Sequence, residues 1–147
     1  MQAQPMTIWT IVVALLAGTI FGQLNKTDKV VAQHIEVEAN IRILALELPS
    51  QNYTIKHTKG SRILVETNIS LDDVNEHLLK YLIGTGRYRL QLKKDLTAQT
   101  ISLSPNSHLK NVLVVKGKEI QETLHYTIYV PDAHIDYVEE PNELAVH

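Results

Sequence analysis

The chain has no cysteine in its 147 residues. That excludes disulfides, thiolate metal ligation, a cysteine nucleophile and a lipid-acceptor cysteine after the N-terminal segment. Aromatics are scarce, at 5 %, and six of the eight are tyrosines; the single Trp9 and Phe21 both fall within the first 22 residues. A folded core must therefore be built from Ile, Leu and Val. An excess of one charge is also missing, since 14 basic and 16 acidic residues leave a net charge of −2. Nucleic acid is thereby unsuited as the main partner, because phosphate binding needs concentrated Lys and Arg.

Charged side chains are absent before Lys26, leaving the α-amino group as the segment's one positive charge. From Met6 to Gly22 the chain reads MTIWTIVVALLAGTIFG, with nothing ionisable. Ile8 to Ile20 has the length of a signal-peptide apolar region, and Gly22-Gln23 offers a small residue before a cleavage point. The alternative is a retained membrane anchor, since as a helix this run spans about 25 Å. Residues 1–22 are thus expected to form an apolar helix acting as a signal peptide or an anchor. Either one implies export: periplasmic, outer-surface or secreted if cleaved, membrane-anchored if not. Residues 23–33 (QLNKTDKVVAQ) are polar and read as a tether, and Glu139-Glu140-Pro141 opens an acidic tail over 139–147.

Between them, residues 34–138 alternate apolar and polar side chains with a period of two. Strands are expected around Ile35–Ala39, Ile41–Leu48, Tyr53–Ile55, Arg62–Ser70 and Arg87–Lys93. Others are expected at Thr100–Ser104, Asn111–Val115, Glu119–Val130 and His134–Val138. Lys116-Gly117-Lys118 signals a short hairpin. One segment changes rhythm: Leu71, Val74, Leu78, Leu79 and Leu82 recur at helical spacing, predicting a helix over about 71–83. Ser70-Leu-Asp-Asp73 is its apparent capping box and Gly84 its stop. The expected fold is mainly β, a sandwich or a short β-solenoid carrying one helix.

No motif names a reaction. HExxH and GxSxG are absent, and Gly84-Thr85-Gly86 is too short to cradle a phosphate. Asp73 and His77 are four residues apart on the predicted helix, as are Asp72 and Glu76, the spacing of a carboxylate–imidazole pair for a metal or a hydrolase. Without a third converging ligand they read as a solvated helix face. His125 and His134 would have to meet across strands, yet His125 lies opposite the apolar Leu124 and Tyr126. Glu36 and Glu38 share a strand face with no groove legible. We therefore expect no enzyme, no metal and no cofactor. Arg87, Arg89 and Lys93 fall on one face of a predicted strand beside Lys94, the candidate contact surface for an anionic glycan or lipid headgroup. Asn25, Asn52 and Asn68 head N-x-[ST] sequons.

Four segments carry a resemblance: IEVEAN at Ile35–Asn40, SRILVETNIS at Ser61–Ser70, GRYRLQL at Gly86–Leu92 and ETLHYTIYVP at Glu122–Pro131. They resemble bacterial adhesin domains of the head GIN auto-transporter type, in particular small exported forms from Bacteroidetes, as does the Phe21-Gly-Gln23 end of the apolar segment. The resemblance implies a β-helical or β-sandwich surface domain without a defined active site. It points to cell-envelope adhesion or ligand binding, with a surface glycan or envelope protein as partner. Two further readings are kept: a membrane-tethered periplasmic structural or assembly component, and a hydrolase using Asp73 and His77.

Overall fold

The computed structural model describes residues 26–132 and 135–139. The N-terminal apolar segment, Asn25, His134 and the tail after Glu139 lie outside the described residues. Within them the chain is mainly β, with ten strands and one α-helix. Four strands form a first sheet in the order β1 (Lys26–Glu36), β4 (Arg62–Asp72), β9 (Glu122–Pro131) and β3 (Tyr53–Thr58). A second sheet runs β10 (Asp136–Glu139), β2 (Ile43–Leu46), β6 (Thr100–Ser104) and β5 (Gln91–Asp95). The β7–β8 hairpin (Leu113–Val115 and Lys118–Ile120) stands apart from both.

Alternation fixes which face of β4 is buried. Ile63, Val65, Thr67, Ile69 and Leu71 point inward, while Leu64, Glu66, Asn68 and Ser70 take the other face. Ile63 and Val65 of β4, with Ile128 and Val130 of β9, meet Leu44, Leu46, Ile101 and Leu103 of the second sheet in one core. Each such side chain, fully buried, contributes about 1.5–3 kcal/mol relative to exposure. The second sheet is shorter, and its central strands β2 and β6 pair in parallel. In the first sheet β3 also runs parallel to β9, with Ile55 opposite Ile128.

The helix α1 (Glu76–Gly84) begins later than its apolar spacing predicts. Leu71 and Asp72 still belong to β4, so the Ser70–Asp73 sequence caps nothing. Asn75 is the N-cap instead, its side chain accepting from the Leu78 N–H at 2.9 Å. Gly84 is the last helical residue, and the left-handed position falls on Gly86, at φ +78°. There the Gly86 N–H donates to Ile83 and the Arg87 N–H to Leu82, closing the helix as a Schellman turn. Leu79 and Leu82 then pack with Ile69, Leu71, Val74, Tyr88 and Ile120 in a second core under the hairpin.

Three other expectations change. Residues 26–33, polar enough to read as a tether, are most of β1; as an edge strand it turns one face wholly to water. The predicted strand from Arg87 shrinks to β5, because residues 85–88 turn out of the helix. The segment 119–130 is two strands, with β8 held in the hairpin and β9 central to the first sheet. The hairpin turn is Lys116-Gly117, both left-handed, at φ +51° and +78°. No helix of the described residues is long and apolar enough to cross a membrane.

Candidate ligand-binding surface

The three basic residues singled out from the sequence do not share a face. Arg87 is buried, 7 % exposed, and its donors are engaged within the fold. Its Nε and Nη2 grip both oxygens of Glu122 at 2.8 and 2.5 Å, Nη1 reaches the His108 carbonyl at 2.6 Å, and Nη2 also reaches that of Asn111 at 2.8 Å. Tyr88 donates to the same carboxylate at 2.8 Å. The hydrogen bond to Glu122 holds the Arg87 pKa above its ordinary value, and burial first, then Glu122, raises that of the Tyr88 phenol. This cluster clamps the helix exit, the segment 107–111 and the start of β9 together. Arg89 is exposed just after that turn, and Lys93 is exposed on the edge strand β5.

The Asp73–His77 pair is likewise separated. Asp73 lies before the helix in a left-handed conformation, φ +57°, and pairs with Lys118 of the hairpin. His77 is exposed in the first turn of α1. Among the described residues no three His, Asp or Glu side chains gather as metal ligands. Glu36 pairs with Arg62 at 3.1 Å, whereas Glu38 pairs with Lys94 at 2.6 Å, and that hydrogen bond lowers its pKa.

The built surface is the outer face of the first sheet. There β3, β9 and β4 bring Lys56, Tyr129 and Leu64 side by side, with Thr54, Thr127 and Glu66 in the next row. Tyr129 donates to Glu66 Oε2 at 3.0 Å, and Lys56 Nζ stands 5.6 Å from the Tyr129 ring centroid. That carboxylate raises the Tyr129 pKa, so at neutral pH the phenol is protonated and donating. His125, exposed as its parity predicts, bonds Thr54 at 3.0 Å. Where the β3–β4 turn meets this face, an open groove of about 610 Å³ is lined by Thr58, Ser61, Arg62, Leu64, Glu66 and Tyr129 with Gly60. It combines hydroxyls, a carboxylate, a guanidinium and an aromatic ring beside Leu64. Such a set hydrogen-bonds ligand hydroxyls and covers the apolar C–H face of a ring.

None of these groove residues is singled out by the sequence as a site. Parity places Glu66 on an outward face, but only strand order tells that Tyr129 stands next to it, 63 positions away. Comparison with family models, with curated proteins and with solved structures finds no match for the chain.

Proposed function

We propose that this chain is an exported, non-enzymatic β domain of the cell envelope that binds a surface glycan. The observation that carries the reading is the Tyr129–Glu66 groove: an open, polar, aromatic-edged trough on the outer sheet face suits an extended hydroxyl-rich chain. Two four-stranded sheets around one core read as a sandwich, a scaffold that presents such a face rigidly. The adhesin resemblance and the apolar N-terminal segment support the envelope location. The groove replaces the Arg87–Arg89–Lys93 face, because Arg87 is already spent inside the fold.

The test is retention on immobilised neutral and anionic polysaccharides. Tyr129→Ala and Glu66→Gln are expected to reduce retention at least tenfold with unchanged melting temperature. Reversing Arg89 and Lys93 is expected to leave it unchanged. Retention that survives both groove substitutions rejects this site, and loss only on reversing the lysine and arginine returns it to the basic edge. The mass of the mature chain, shorter by about 22 residues if the segment is a cleaved signal, decides between secretion and anchoring.

A further inference from the structure

A long unpaired edge strand is normally blunted by a bulge, a proline, brevity or charged side chains. β1 lacks the first three, and its charges, Lys26, Asp28, Lys29 and Glu36, repel a second copy only in the wrong register because they are of both signs. It runs 11 residues without proline or glycine, in unbroken register against β4 from Lys26↔Asp72 to Glu36↔Arg62. Among the described residues it pairs with β4 alone and ends the first sheet. The other edge of that sheet, β3, has six residues and the edges of the second sheet five or fewer.

The β1 sequence is complementary to itself when reversed. With a twofold axis at Val31, Lys26 faces Glu36, Asp28 faces His34, Lys29 faces Gln33 and Val30 faces Ala32. Opposite charges meet at both ends, and the middle is apolar; Val30 is 59 % exposed on the outer face. Other arrangements lose this. A parallel pairing sets Lys26 on Lys26 and Asp28 on Asp28. Moving the axis to Ala32 sets Asp28 on Glu36, and moving it to Val30 sets Lys26 on His34. We infer that two copies of this chain join through antiparallel β1 edges centred on Val31, merging their first sheets into one of eight strands. Such an isologous contact closes on itself, so it yields a dimer and ends the exposed edge.

The chain's lack of cysteine makes the register directly testable. Full-length Val30→Cys and Ala32→Cys chains are prepared separately, then oxidised alone and as an equimolar mixture. The expected result is a disulfide-linked dimer from the mixture at several times the yield of either chain alone. Adding Lys26→Glu to both chains is expected to cut that yield. Lys26→Glu on one chain with Glu36→Lys on the other restores it, since opposite charges then meet again at both ends of the paired strands. Equal yields alone and mixed, or yields indifferent to these charges, overturn the proposal. Unchanged melting temperatures of the variants exclude unfolding as the cause of a lost cross-link.

Discussion

The side-chain amide of Gln33 pairs with the main chain of Leu90 as a second peptide group would, donating to its carbonyl at 3.1 Å and accepting from its N–H at 3.0 Å. Gln33 belongs to β1 in the first sheet, and Leu90 leads directly into β5 in the second. The pair therefore stitches the two sheets along one side without a shared strand. Gln33→Leu leaves both Leu90 groups unanswered and is expected to cost about 1–3 kcal/mol, read as a lower urea midpoint. Gln33→Glu keeps an acceptor but loses the donor, and is expected to destabilise as well.

Breaking the Arg87–Glu122 pair should cost more. Both side chains are nearly enclosed, at 9 % and 13 % exposure, so Arg87→Met strands a carboxylate among its hydrogen-bonding neighbours. A loss of about 3–5 kcal/mol is expected by thermal or chemical unfolding. Arg87→Lys recovers only part of it, because an ammonium cannot span both carboxylate oxygens and two carbonyls. The double variant Arg87→Met/Glu122→Leu is expected to be less damaged than Arg87→Met alone.

Alkali should act through the buried phenols. Burial pushes Tyr126 from its ordinary 10.0 up to about 12. A raised folded-state pKa means the folded chain holds the proton more tightly than the unfolded one. The resulting stability is complete below pH 10.0 and is lost as pH rises toward about 12. Urea midpoints measured across that window are expected to fall, and Tyr126→Phe is expected to flatten the decline. An equally steep decline in the Phe variant assigns it to other groups.

Two neighbouring glycines should respond oppositely to alanine. Neither Gly84 nor Gly86 has an atom near the position of an added Cβ, so backbone conformation decides. Gly86 is left-handed at φ +78°, and Gly86→Ala is expected to cost roughly 1–2 kcal/mol. Gly84 is helical, and Gly84→Ala is expected to stabilise by about 0.5–1 kcal/mol. Melting temperatures of the two single variants check both signs.

Local periodicity made the strands of the core legible: β6 spans Thr100–Ser104 as alternation puts it, and β4 starts at Arg62 as expected and runs two residues further, to Asp72. What it missed was set by distance. Whether Arg87 is a surface charge or a clamped one depends on Glu122, 35 positions later, and on carbonyls from a segment with no periodic signal. A polar start read as a tether proved to be a strand because an edge tolerates water on one face. The helix came out shifted because Leu71 satisfies both a strand face and a helical stripe, and pairing with Glu122 resolved it toward the strand.

The strand order also dictates when this chain can fold. Among the described residues β9 alone links β3 and β4, and β10 lies beside β2, so strands from near the start wait for partners from near the end. Until about residue 131 has emerged, the first sheet has no centre, and β3 has nothing to pair with. Contacts of such long sequence separation make assembly slow. β1 with β4, and β6 with β2 and β5, can pair before then, so β9 and β10 enter last, each joining a sheet in which other strands have already met.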